Sequence, residues 1–324
     1  MEAWVTLATN DSYSAGALAL ASSLRRVGTT RQLVCMVTQG VGAKMLTALK
    51  KKFDQVVSVE EMDSGDAENL RLLDRHDLGI TFTKIRCWTL TQYSKCVFLD
   101  ADTMLISNAD ELFDREEFSA APDAGWPDCF NSGVFVLKPS LETYSAILKH
   151  AADTGSFDGG DQGLLNTYFS DWATKDISKH LPFIYNMVAS ASYSYLPAYK
   201  KFGQNVKIIH FIGATKPWLV GFDSRGEPLV GNTESHTKSH LQLWWQIFST
   251  EVKPLLVEHC EGGQTDYPFL RVEVGSNYSS NPPAPAAPPA DSRGDWEKGS
   301  PDFTGTAAFN NILKKMDETL SAEK

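Results

Sequence analysis

A chain of 324 residues with a formal net charge of -10 is long enough to bury one large α/β core with an appendage. It is too acidic for a general nucleic-acid binder, which needs a basic surface to displace counterions. No apolar run approaches the roughly 20 residues of a membrane helix, and the start, MEAWVTLATND, lacks the basic region and apolar core of a signal peptide and reads as a first strand. Five cysteines, Cys35, Cys87, Cys96, Cys129 and Cys260, stand without metal spacing. They are expected to be reduced thiols of a cytoplasmic protein, most of them small core residues, and the sequons at Asn10 and Asn277 have no meaning in that setting.

Trp4 to Ala8 alternates and is rich in strand formers, and Ser14 to Arg26 carries leucines at 18, 20 and 24 among alanines. Strand, loop, helix is the expectation, with Thr9 to Tyr13 forming the first loop at the carboxyl end of the sheet. Gln32 to Thr38 then reads as strand, Lys44 to Lys52 as helix, Gln55 to Val59 as strand and Gly79 to Tyr93 as helix. Such alternation predicts a single Rossmann-like α/β domain with a mostly parallel, doubly wound sheet, placed over residues 1–260. Lys84 lies near the start of the last of these helices, and the sequence alone favours an ordinary solvated lysine there.

The stretch Lys95 to Ile106, KCVFLDADTMLI, stands at the centre. Its apolar run Val97-Phe98-Leu99 ends in Asp100 and Asp102, which an extended chain would point to the same side, as exposed carboxylates at the end of a buried strand. Open α/β sheets bind ligands at that edge. Two hard oxygen ligands suit Mn²⁺ or Mg²⁺ and hence a diphosphate, whereas acidic pairs at strand ends also commonly just cap a turn.

Phe118 to Pro122 and Cys129 to Leu137 follow, and in the second Asn131-Ser132-Gly133 leads into a strand, either to meet a sugar or phosphate or to make a hairpin turn. After a helical pattern over Leu141 to Ala152, Asp158 and Asp161 sit in a glycine-rich turn before the helix Leu164 to Phe169, where each acid either faces a ligand or caps the helix. Tyrosines crowd at 185, 193, 195 and 199. Val206 to Ile212 is a last strand with His210 in mid-run, a core histidine by itself and a ligand only because the aspartate pair lacks further partners. Leu241 to Leu256, with Trp244 and Trp245, is expected to be an amphipathic helix closing the domain. A Pro/Ala/Ser-rich linker over 261–301 cannot form a core, and within 302–324 Phe309, Ile312, Leu313, Met316 and Leu320 form one helical stripe, as in a tethered partner-binding peptide.

Taken together, LDADTM, CFNSGVF, FDGGDQGLLN and IIHFIG resemble the retaining nucleotide-sugar transferases of glycosyltransferase family 8, from the first strand to Trp218. The tail, with Asp295 to Gly299 and the final helix, resembles a segment that binds glycogen synthase. The resemblance implies a GT-A fold and an enzyme that moves glucose from UDP-glucose, with retention, onto its own tyrosine and then extends a short α-1,4-glucan to prime glycogen synthesis. It implies Mn²⁺, or Mg²⁺, on Asp100, Asp102 and His210, with Ala101 between the two acids also in the donor site. Leu7, Thr9, Asn10, Tyr13 and Arg75 would match the uridine side and Lys84, Gly213 and Lys216 the diphosphate. Asn131, Ser132, Asp158, Asp161 and Gln162 would match the glucose, Asp161 and Lys84 being the catalytic pair.

The same resemblance makes Tyr193, first tyrosine of Tyr-Ser-Tyr-Leu-Pro, the acceptor, with Tyr195 expected to pack beside the turn. Transfer to a chain's own tyrosine is sterically awkward at the start, so a homodimer is expected; Trp296 and the Phe309 to Leu320 stripe would hold glycogen synthase. Two alternatives stand beside this reading. A phosphatase of haloacid dehalogenase type also ends a strand in Asp-x-Asp, but wants Thr or Val where Met104 stands. A non-catalytic scaffold recruiting glycogen synthase would have no use for Asp100, Asp102, Asp161 and His210 together.

Overall fold

A computed structural model describes residues 1–257 except 73–75, 191–194, 214–215, 224 and 231–234. Its strands are β1 Glu2–Ala8, β2 Gln32–Val37, β3 Gln55–Ser58, β4 Lys95–Leu99, β5 Thr103–Leu105, β6 Ser119–Pro122, β7 Phe130–Leu137, β8 Met187–Val188 and β9 Ile208–His210. The helices that frame them begin with α1 Asp11–Arg26, α2 Ala43–Lys52, α3 Ala67–Leu72, α4 Leu141–Thr154 and α5 Asp161–Tyr168. Residues 1–257 belong to a compact unit, Met1–Val274. The linker over 261–301, the tail with Trp296 and its stripe, and the boundaries between them lie outside the described residues.

The main sheet runs β3-β2-β1-β4-β7-β6. β1 pairs in parallel with β2 and β4, and β2 with β3, whereas β7 runs antiparallel to both β4 and β6. One reversed strand in an otherwise parallel sheet matches the mostly parallel expectation. Alternate residues serve opposite faces: Trp4, Leu33, Val97 and Leu99 join α1 and α2 in one core, while Val5, Val34, Phe98 and Phe135 join Ile147, Leu164 and Trp88 in the other. Both faces are apolar, which is why these strands read as continuous hydrophobic runs.

Helix α1 starts at Asp11, three residues before the expected Ser14, so Asp11 to Tyr13 are helical instead of loop. Asn10 accepts the Tyr13 N–H at 3.0 Å as its cap, Asp11 lies in the first turn, and Arg25 and Arg26 lie in the last, each sign matched to the helix dipole. At Gly16 the helix presses on the chain below: a Cβ there would lie 2.5 Å from the Ala101 carbonyl oxygen and 2.4 Å from the Trp218 ring. Any other residue would push α1 off the aspartate turn.

Three further elements differ from expectation. The helix expected over Gly79 to Tyr93 is a 3₁₀ helix, His76–Thr89, whose three-residue repeat lines up Phe82, Ile85 and Trp88 in the core and sets Thr81 and Lys84 together on the cavity side. The expected last strand is shorter, and it belongs to a second sheet, β5-β9-β8, because β5 leaves the main sheet after Asp102. The expected helix Leu241 to Leu256 divides into Ser235–Ile247, a wide π turn Phe248–Val252 and Lys253–Val257. Pro254 has no N–H for the preceding turn and crowds the carbonyl four residues back. The segment still closes the domain, with Trp244 stacked on Phe248 at 5.0 Å.

Gly16→Ala should therefore cost about 1–3 kcal/mol of unfolding free energy in urea titration, the usual penalty for overfilling a close contact. An unchanged midpoint would mean that α1 does not hold the turn as described.

Candidate functional site

Asp100 and Asp102 do not extend β4; they belong to a turn between the two sheets. The Asp100 N–H donates to the Gly133 carbonyl at 2.8 Å, and the Thr103 N–H and hydroxyl donate back to the Asp100 carbonyl at 2.9 and 2.7 Å. On the far side, the Phe211 N–H donates to the Asp102 carbonyl at 2.9 Å. The turn is thus pinned between β7 and β9. Because β5 pairs antiparallel with β9, with Thr103 opposite His210, the histidine arrives beside two acids more than a hundred residues earlier in the chain. A ligand atom from each of Asp100, Asp102 and His210 lies within 4.8 Å of the others, the one such group among the described residues.

Gly133 makes room for this meeting. A Cβ at that position would lie 2.2 Å from His210 Cε1. The Asn131-Ser132-Gly133 segment is therefore part of strand β7, not a hairpin turn.

The acids are held by buried amines. Lys84, expected to be solvated, is buried, with Nζ 2.7 Å from Asp161 Oδ2, 2.9 Å from Asp100 Oδ1 and 3.2 Å from the Ser132 carbonyl oxygen. Burial pulls its pKa down, but Asp100 and Asp161 outweigh burial and hold it well above the usual lysine value. Asp102, expected to be exposed, is buried between His210 Nε2 at 3.2 Å and Lys216, whose Nζ also donates to the Phe211 carbonyl at 3.2 Å. Burial raises its carboxyl, yet His210 and Lys216 together hold it far below the ordinary range. Asp100 goes the other way: burial raises its pKa, Lys84 opposes, and the neighbouring Asp102 and Asp161 add to the rise.

A carboxylate so short of positive charge fits a divalent cation. Two oxygen ligands and one imidazole are the hard and borderline donors that Mn²⁺ and Mg²⁺ accept.

These groups line one cleft of about 460 Å³, within the range of small-molecule sites. Apart from Arg75, which lies outside the described residues, all the residues assigned to donor and metal line it: Leu7, Thr9, Asn10, Tyr13, Lys84, Asp100, Ala101, Asp102, Asn131, Ser132, Asp158, Asp161, Gln162, His210, Gly213 and Lys216. The two acids of the glycine-rich turn divide the roles the sequence left open. Asp158 Oδ1 accepts from the Ser156 hydroxyl and from the Gly160 and Gly163 N–H groups at 2.8–3.0 Å, bracing the start of α5, while Asp161 is the first helical residue and points its carboxylate at Lys84. The Asp161 N–H donates to the Thr81 hydroxyl at 3.1 Å.

Sequence reasoning missed Thr81, Asp123 and Asn186. Asp123 follows β6 directly and accepts from Asn131 Nδ2 at 2.9 Å and Gln162 Nε2 at 3.2 Å, so an acid after a strand was a usable signal. Burial raises its pKa, but those amides and the Gly125 N–H bring it below the usual value. Asn186 has no local signature; it meets His210 only through the pairing of β8 with β9.

Among the tyrosines, Tyr193 lies outside the described residues. Tyr195, expected to pack, is 69% exposed, because it precedes the short helix Leu196–Phe202 instead of facing the core. Tyr185 donates to Glu111 at 2.7 Å and Tyr199 meets His240 at 3.1 Å. Cys35, Cys87 and Cys96 are buried free thiols and Cys129 a half-buried one, while Cys260 lies outside the described residues. No helix among the described residues is long and apolar enough to cross a membrane.

Asp102→Ala strips Lys216 of its buried counter-charge, so it should lose both Mn²⁺ affinity and about 3–5 kcal/mol of stability. Calorimetry and urea unfolding would read the two losses. Since the folded pKa of Asp102 lies below its ordinary 3.8, its contribution is complete above that pH and is lost as pH falls through the folded value. Asp102→Asn should accordingly flatten the acid limb of the metal-free stability profile; an unaltered limb would contradict the pairing.

The glycosyl transferase family 8 model matches residues 4–118 and 110–220. Glycogenin-1 of Mus musculus is 48% identical over 336 aligned residues, 98% of this chain and 99% of the relative, and glycogenin-1 of Oryctolagus cuniculus is 50% identical over 98% and 99%. In fold, an active-site mutant of LgtC superposes with a TM-score of 0.54 at 14% identity, over 78% of this chain and 96% of the other. A phosphatase is excluded by this match, and the chain belongs to glycosyl transferase family 8, within its glycogenin group.

Proposed function

We propose that the protein is a retaining glucosyltransferase that takes glucose from UDP-glucose, places it on its own Tyr193 and extends it into a short α-1,4-glucan that primes glycogen synthesis. The observation that carries this reading is the convergence of Asp100, Asp102 and His210 with the Lys84–Asp161 pair in a single cleft. Similarity to glycogenins supports the substrate, and the non-catalytic scaffold reading accounts for none of these buried charges.

Asp100, Asp102 and His210 would hold Mn²⁺, or Mg²⁺, which when bound supplies Lewis-acid stabilisation of the departing diphosphate. Lys84 and Lys216 add fixed positive charge at the same end, already oriented by their carboxylates before substrate arrives, so little reorganisation is needed as charge develops. Asp161 would stabilise positive charge developing on the sugar ring, and Lys84, 2.7 Å away, keeps its carboxylate aimed. Asn131 and Gln162, whose amides are set by Asp123, would meet the sugar hydroxyls. Leu7, Thr9, Asn10 and Tyr13 would border the uridine, with Tyr13 held edge-on to Trp218 at 5.4 Å. A phenol near pKa 10 is a weak nucleophile, so the acceptor must be free to enter the site. A homodimer would let Tyr193 of one protomer enter its partner's cleft. A cytoplasmic setting fits the free thiols.

Purified protein incubated with UDP-glucose and Mn²⁺ should gain mass in steps of one hexose. Tyr193→Phe should block the series yet leave transfer to a free maltoside intact, whereas Tyr195→Phe should still be glucosylated. Hexose mapped to the exposed Tyr195, or to no tyrosine, would refute the acceptor.

The stripe Phe309, Ile312, Leu313, Met316 and Leu320, with Trp296, would dock glycogen synthase by laying its apolar face in a groove. Replacing Phe309 and Leu313 by Asp would put charge into that contact and should abolish synthase pull-down with self-glucosylation unchanged. Retained pull-down would rule out the stripe.

A further inference from the structure

We infer that Asn186 is a positioning residue that decides which ring nitrogen of His210 is bared toward Asp100 and Asp102. The reasoning follows a chain of hydrogen bonds whose two ends have no choice of polarity. The Gly133 N–H can only donate, and it meets Asn131 Oδ1 at 2.9 Å. The Asp123 carboxylate can only accept, and it meets Asn131 Nδ2 at 2.9 Å. Between a fixed donor and a fixed acceptor, the Asn131 amide has one satisfied orientation.

That orientation propagates. Asn131 Oδ1 also takes Asn186 Nδ2 at 2.8 Å, so the remaining end of the Asn186 amide, Oδ1, faces His210 Nδ1 at 2.9 Å. An amide oxygen brings no proton, so the hydrogen of that contact resides on Nδ1. Nε2 faces Asp102 Oδ1, another acceptor, at 3.2 Å, so any proton there is the one a cation displaces when it takes the Nε2 lone pair. The opposite tautomer would require both amides to turn over, setting the Gly133 N–H against an N–H₂ and the Asp123 carboxylate against an amide oxygen. Asn186 and His210 are 2% and 4% exposed, so water has little access to repair such a mismatch.

Gly133 completes the device. Its missing side chain lets the imidazole lie against β7, with Cε1 and Nδ1 only 2.2 and 2.7 Å from where a Cβ would stand, within reach of Asn186. Asp123 lies at the root of two branches, through Asn131 toward the histidine and through Gln162, whose Oε1 accepts the Ser132 N–H at 3.2 Å, toward the sugar end.

The use of Nε2 rests on the metal reading above, but the tautomer does not, and the two are tested apart. In protein carrying ¹⁵N-histidine, both metal-free and with Mg²⁺ added, Nδ1 of His210 should carry a proton. A bare Nδ1 would overturn the inference. Titration with Mn²⁺ alone should show Asn186→Leu binding about 10–100-fold more weakly, the usual effect of losing an outer partner of a ligand. Asn186→Asp keeps an acceptor for Nδ1–H but loses the donor to Asn131 Oδ1, so it should bind more tightly than Asn186→Leu while falling short of the unaltered protein. An Asn186→Leu variant that binds as tightly as the parent, or an Asn186→Asp variant as weak as Asn186→Leu, would also overturn it. Should Asn186→Leu not fold, the parent spectrum and Asn186→Asp decide; should the parent take up no Mn²⁺, the metal reading fails while the spectrum still decides the tautomer.

Discussion

Three carboxylates, Asp100, Asp102 and Asp161, are drawn together at the crossing of two sheets, and among the described residues Lys84, Lys216 and the His210 imidazole meet them. Taking such charges out of water costs several kcal/mol per ion unless partners are placed to meet them. Much of the surrounding structure is arranged to meet that demand. The 3₁₀ helix delivers Lys84, the segment after β9 delivers Lys216, and the turn at Asp100 is tied to both sheets through its own backbone. Asp102 is met by two partners of its own, His210 and Lys216, whereas Asp100 shares Lys84 with Asp161.

Close backbone approach is the second constraint, and two glycines supply it. Gly16 allows α1 to lie on the Ala101 carbonyl from one side, and Gly133 allows His210 to lie on β7 from the other. The aspartate turn is thereby clamped between a helix and a strand, with no side chain to hold them apart. Rigid placement of this kind is what lets lysines and amides act as a prearranged field and not as groups that must reorganise around the substrate.

The acids of the glycine-rich turn show how one short segment performs two tasks. Asp158 spends its Oδ1 on backbone N–H groups at the start of α5, and this frees Asp161, the first residue of the helix, to leave capping to its neighbour and face Lys84. Asp161 also lies in the first turn, at the positive end of the helix dipole.

The alternation of strand and helix and the place of Asp100 and Asp102 after a buried strand were readable in the sequence, because each depends on residues near one another in the chain. The residues assigned to donor and metal, Arg75 apart, line one cleft, and they were singled out only because their motifs resemble a known family; spacing alone left Lys84 solvated, Asp102 exposed and His210 in the core. What tertiary structure decided is the rest. Whether a carboxylate is buried depends on what crosses above it, here the segments carrying Lys216 and His210, and no local pattern encodes that crossing. Asn186 reaches His210, and His210 reaches Asp102, through strand pairings between segments far apart in the chain, and such pairings are set by which faces can be buried together, a property of the whole core.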